Sequence, residues 1–102
     1  MKPTCLIVAA LPAEARPLID HWRLKREPNS NAFAIYSNDQ RSPAIHLEVS
    51  GTGKINAAAA CAHLYMHCRP AHACWLNIGI AGHAARDVGT ALLVHYVVDS
   101  AS

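Results

Sequence analysis

Ala44-Ile45-His46-Leu47-Glu48-Val49-Ser50-Gly51-Thr52-Gly53-Lys54-Ile55-Asn56-Ala57-Ala58 is the stretch that decides the fold. Ala44 to Val49 reads as a strand. Ile55 to Cys68 reads as a helix, and its run Ala57-Ala58-Ala59-Ala60 lets it pack close to a sheet. Between them, two of the chain's five glycines make a tight turn. A strand that runs through glycines straight into a helix is a building unit of α/β sheets. In such sheets ligands bind in the crevice beyond the carboxyl ends of the strands. The other glycines fall at similar places: Gly79 and Gly82 in Asn77-Ile78-Gly79-Ile80-Ala81-Gly82, and Gly89 ahead of Thr90 to Val98.

Working outward, Cys5 to Ala10 is a short apolar run, as in a strand covered on both faces. Ala15, Leu18, Ile19 and Trp22 recur at helical spacing, and Pro17 fits if that helix begins near Ala13 or Glu14. Lys25 to Asn31 reads as a loop, and Ala32 to Tyr36 as a strand joined to Ala44 to Val49 by the polar turn Ser37 to Pro43. Ala73 to Ile80 and Thr90 to Val98 read as the last two strands. The order β-α-β-β-α-β-loop-β predicts an α/β fold with a mixed, mainly parallel sheet and flanking helices. Residues 1–102 form one domain in this reading. Cys5 to Ala10, Ala44 to Val49 and Ala73 to Ile80 are expected at its centre, with Leu6, Val8, Leu47, Val49, Leu76 and Ile78 buried. The final strand has no helix after it, so a homo-oligomer or a complementing chain is expected to cover it.

Composition narrows the function classes. Hydrophobic residues make up 52% and charged residues 16%, which reads as a globular interior rather than a disordered chain. A net charge of +2 is too weak to argue for a nucleic-acid partner. No apolar run approaches the roughly 18 residues of a membrane span. Cys5 to Leu11 lacks the cleavage context of a secretory signal, so a cytoplasmic location is expected. Cys5, Cys61, Cys68 and Cys74 have apolar neighbours and read as small buried thiols.

Three segments invite chemistry. Ser50 to Lys54 fails the Walker pattern, because Glu48 stands where the first glycine is needed and Ile55 follows the lysine. It still offers free amides at a helix N-terminus, which suit oxyanions or hydroxyls, or it is a plain turn. Glu14 is the only carboxylate near the end of the first strand. It can polarise a water or hold a hydroxyl, or it can merely complement a helix dipole. His63, His67, Cys68, His72 and Cys74 match no common zinc spacing, and Asn56, His63 and His67 fall on one polar helical stripe, so no metal is expected.

Ile7-Val8-Ala9-Ala10-Leu11-Pro12-Ala13-Glu14-Ala15, Ser50-Gly51-Thr52-Gly53-Lys54-Ile55-Asn56-Ala57-Ala58 and Asn77-Ile78-Gly79-Ile80-Ala81-Gly82 with Asp87-Val88-Gly89 occur together in this order. In them the chain resembles the N-terminal part of the nucleoside phosphorylase and nucleosidase superfamily, above all the 5′-methylthioadenosine/S-adenosylhomocysteine nucleosidases. The resemblance implies an incomplete nucleoside phosphorylase-like three-layer fold, a small-molecule nucleoside as ligand and no cofactor. Glu14 matches the acidic residue that activates the attacking water. Ala10 lines the same pocket, Thr52 falls beside the nucleoside's 5′ substituent, and Ile80, Ala81 and Gly82 match the segment against the purine. Ile80 stands where methylthioadenosine nucleosidases commonly have serine, and His83 where a glycine follows. The Ile-Ala-Gly version looks more like the branch associated with adenosyl-lipid substrates. The aspartate that protonates the purine and the glutamate that binds the ribose lie in the family's later half and have no counterpart here. The resemblance therefore implies purine N-glycosidic cleavage with half a site on this chain, which alone is expected to be inactive. Two alternatives remain: phosphorolysis, with Lys54 and Arg86 as the candidate phosphate ligands, and an inactive module that acts by self-association or partner binding.

Overall fold

A computed structural model describes residues 3–28, 32–82 and 84–99. Its elements are β1 (Thr4–Ala9), α1 (Pro12–His21), β2 (Lys25–Arg26), β3 (Ala34–Asn38), β4 (Ala44–Val49), α2 (Lys54–Cys68) and β5 (Ala73–Asn77). The strands form one sheet in the order β2-β3-β4-β1-β5. β1 runs parallel to both β4 and β5, with Ile7 opposite Leu47 on one side and Leu76 on the other. β3 is antiparallel to β4, and β2 to β3. The fold is thus α/β with a mixed sheet, as the alternation of elements predicts.

Strand alternation divides the core into two faces. Ile7, Ala9, Ile45 and Leu47 turn to one face, where Ala15, Leu18, Ile19 and Trp22 of α1 and its exit cover them. Leu6, Val8 and Ile35 turn to the other, where Ala60 and Leu64 of α2 lie on them, one helical turn apart. The result is three layers: helix, sheet, helix. Of the alanine run only Ala60 is fully buried; its small side chain lets α2 approach the sheet.

α1 begins at Pro12, earlier than the spacing suggests. Proline suits the first helical position. Pro17 consequently sits past the first turn, and its missing N–H leaves the Ala13 carbonyl without its helical partner. Lys25 and Arg26, expected in a loop, pair with Ser37 and Tyr36 as a short edge strand. The rest of that expected loop includes residues 29–31, which lie outside the described residues. The hairpin strand is shifted by two residues, to Ala34–Asn38.

Five expectations are overturned, all but that for Val49 at or beyond the other edge. β5 is not central: β1 flanks it on one side and no described strand on the other. Leu76 is accordingly 40% exposed rather than buried, and Trp75 on the opposite face is 42% exposed. Val49 and Ile78 are half-buried. Thr90 to Val98 forms no strand; Leu93, Val94, Tyr96 and Val97 are exposed. A strand takes its hydrogen bonds from a neighbour, so β-prone composition alone does not make one. All four cysteines are free, and Cys74 is exposed on β5 while the other three are half-buried.

Candidate functional site

The carboxyl ends of β1, β4 and β5 are stitched together by their backbones. Ser50 N–H donates to the Ala9 carbonyl at 2.9 Å, Gly51 N–H to Ala10 at 3.0 Å, and Ile78 N–H to Val8 at 3.1 Å. The turn after β4 needs its glycines, because Gly51 and Gly53 have φ of 84° and 90°, in the left-handed region. Asn56 Nδ2 braces the turn by donating to the Thr52 carbonyl at 2.8 Å.

Glu14 lies at these strand exits. It is the third residue of α1, and its Oε1 accepts the Leu11 N–H at 3.0 Å, tying down the helix start. Its Oε2 accepts the Ile80 N–H at 2.8 Å, across 66 residues of chain. The carboxylate is therefore strung between the exits of β1 and β5. Each oxygen has a second lone pair left for a water or a hydroxyl.

Of the residues singled out in the sequence, the structure brings Glu14 and Ile80 together, while the Ala10 carbonyl accepts the Gly51 N–H at the neighbouring strand exit. Thr52 follows Gly51 on the turn and lines an open depression of about 680 Å³ with Gly53 to Asn56, Val98 and Asp99; Glu14 is not part of it. Lys54 Nζ lies 2.7 Å from an Asp99 carboxylate oxygen at its rim. Ala81 and Gly82 continue from Ile80 as exposed chain. His83 lies outside the described residues. Among the described residues, no three His, Cys, Asp or Glu side chains are placed to hold a metal ion. No helix among them is long and apolar enough to cross a membrane.

A second cluster showed in the sequence only as the stripe that holds His63 and His67, without its carboxylate partners. Glu48 is fully buried under α2. Its Oε1 meets His63 Nδ1 at 2.5 Å, while its Oε2 is buried with no hydrogen-bond partner. Farther along α2, His67 Nε2 meets Glu27 Oε1 at 2.9 Å, and His46 Nδ1 meets Glu27 Oε2 at 3.4 Å. The His63 and His67 rings stack at 6.2 Å. Two members of the stripe on α2 therefore meet carboxylates, His63 that of Glu48 on β4 and His67 that of Glu27 just after β2, while Asn56 stays exposed at the turn. Burial pushes the Glu48 carboxyl above the ordinary 4.5, and the bond and charge of His63 do not restore it. Glu27 is drawn the other way: partial burial raises it, but the hydrogen bonds from His67, Ser37 and His46 prevail and hold it below 4.5. Burial first, then the charges of Glu27 and Glu48, pushes the Cys68 thiol up to about 12, which makes it inert. His46 and Glu48 two apart on a strand, and His63 and His67 four apart on a helix, were the available signals.

No protein-family model matches this chain, and no curated protein matches it. Among solved structures it is similar to the 5′-methylthioadenosine/S-adenosylhomocysteine nucleosidase from Neisseria meningitidis, in complex with methylthio-immucillin-A. The TM-score is 0.60 at 25% sequence identity. The match covers 72% of this chain and 31% of that one. The chain thus has a nucleoside phosphorylase/nucleosidase-like fold, in part, and spans about a third of the neighbour's length.

Proposed function

We propose that this chain carries one side of a site that cleaves the N-glycosidic bond of a purine nucleoside, methylthioadenosine or another adenosyl compound. The observation that carries the reading is the Glu14 carboxylate, held by two backbone N–H groups at the joint exits of β1 and β5. Glu14 takes a proton from water. The water oxygen bonds to the anomeric carbon as the bond to the base breaks, and the base leaves with the electron pair and takes up a proton. Fixed backbone donors keep the acceptor in place at no cost of reorganisation during the reaction. Ala10, Thr52, Ile80, Ala81 and Gly82 are the proposed lining. The acid that protonates the base and the ribose ligand come from outside this set, so turnover needs a longer form or a complementing half.

The test is release of free purine base from methylthioadenosine and related adenosyl compounds by the complemented protein. Glu14→Gln keeps the shape of the side chain but cannot take the proton. It lowers kcat by about 10² to 10⁴ with little change in binding. Full turnover by Glu14→Gln overturns the assignment. Phosphate dependence of base release would favour the phosphorolytic alternative.

A second reading rests on the uncovered edge. Trp75 and Leu76 on β5, and Ile55, Tyr65 and Met66 on α2, are exposed large apolar side chains. They suit an association surface, for a second copy or a complementing chain. Sedimentation at micromolar concentration tests it; a stable monomer argues against it.

A further inference from the structure

Gly79 is explained neither by its backbone nor by the roles assigned so far. Its φ is outside the left-handed region that makes glycine necessary at Gly51 and Gly53. What stands against it is Glu14. A Cβ placed on Gly79 would lie 3.0 Å from Glu14 Oε2, 3.6 Å from Cδ and 3.9 Å from Oε1. Resting on the nucleosidase reading above, we propose that Gly79 is a positioning residue for Glu14: it is a glycine so that the carboxylate can close on the Ile80 N–H.

Geometry decides whether the carboxylate could simply step aside. Its Oε1 accepts from Leu11 N–H at 3.0 Å, and its Cα is fixed in the first turn of α1. Backing away from a Cβ at 79 lengthens the 2.8 Å bond from Ile80 N–H or breaks the one from Leu11. Ile80 as a whole is 81% exposed, and what it gives Glu14 is its amide. Gly79 and Ile80 act as a pair, one by clearing space and the other by donating. A proton acceptor displaced by a fraction of an ångström loses its alignment with water, while the groups that bind the nucleoside keep theirs.

The experiment has an arm that needs no turnover. In the chain itself, Glu14→Gln should shift the Ile80 amide ¹H–¹⁵N signal, and in a Gly79→Ala background it should no longer do so. An Ile80 signal indifferent to Glu14, or one that still follows it in Gly79→Ala, overturns the proposal. Gly79→Ala should also lower stability in the parent chain but not beside Glu14→Ala, where the obstructed carboxylate is gone. An equal loss in both backgrounds overturns the proposal as well, even where the single variant folds poorly. In the complemented, active protein Gly79→Ala should lower kcat about tenfold at unchanged KM, and add nothing to Glu14→Gln. A raised KM at unchanged kcat counts against positioning. Full turnover by Glu14→Gln would sink the nucleosidase reading separately, leaving the amide result to stand or fall alone.

Discussion

The crevice at the strand exits and the face beneath α2 each hold a glutamate, by opposite means. Glu14 is half-buried and takes two N–H groups from backbone that turns and strands have already fixed. Glu48 is wholly buried, has one side-chain partner and leaves an oxygen unsatisfied. Backbone donors cost no side-chain entropy and leave lone pairs pointing at the crevice, which is what a proton acceptor needs. A buried carboxylate with a single histidine pays the desolvation penalty and offers nothing to a ligand. One glutamate keeps lone pairs open for the chemistry proposed above, the other bears on how firmly α2 is seated.

The largest break in that contrast is His63→Ala. It leaves Glu48 buried without its partner, and removing one member of a buried pair typically costs about 3 to 5 kcal/mol. His63 is 30% exposed on its side chain, so the lower end, about 3 kcal/mol, is expected. Denaturant midpoints at neutral pH, at unchanged m-value, read it out. A change of a few tenths would show that Glu48 does not depend on His63.

Next comes pH. Glu48 has its folded value raised by burial, so the folded state binds the proton more readily than the unfolded one. Its contribution to stability is complete below the ordinary 4.5 and is lost as pH rises through the raised value. Glu27, lowered below 4.5, does the reverse and loses its contribution as pH falls through its own value. Glu48→Gln should remove the decline above 4.5, whose slope for one proton is at most about 1.4 kcal/mol per pH unit. Glu27→Gln should soften the acid limb instead. A decline that survives Glu48→Gln belongs to another group.

The same contrast explains what the sequence made legible. β4, the glycine turn and α2 were readable because apolar continuity, glycine and helical spacing are local signals. Glu14 was readable as a candidate because it stands alone near a strand end. Its bond to Ile80 was not, since it joins positions 66 residues apart. Glu48 stood out only as the residue that breaks the Walker pattern; its partner comes from a different element, and no local pattern records that. β5 was misplaced for a related reason. An apolar run predicts a strand, but whether both flanks and faces are covered depends on what packs there, and among the described residues only β1 pairs with it. Thr90 to Val98 has strand composition without a strand beside it among the described residues, and composition cannot supply the neighbour.

The smallest effect sharpens the comparison most. Glu14→Gln should cost only about 1 kcal/mol in folding stability. A glutamine oxygen can keep one of the two N–H bonds, at Leu11 or at Ile80, while its amide faces the other donor. The site is half-buried, so water can satisfy the donor left over. Some further loss comes from the negative charge at the start of α1, worth about 0.3 to 1 kcal/mol near a helix N-terminus. Both terms stay well below the cost expected of His63→Ala. Side-by-side denaturant titrations of the two variants decide the matter. Should Glu14→Gln prove the more damaging, Glu14 would be the strut that joins β1 to β5, and its place in the crevice would be structural rather than chemical.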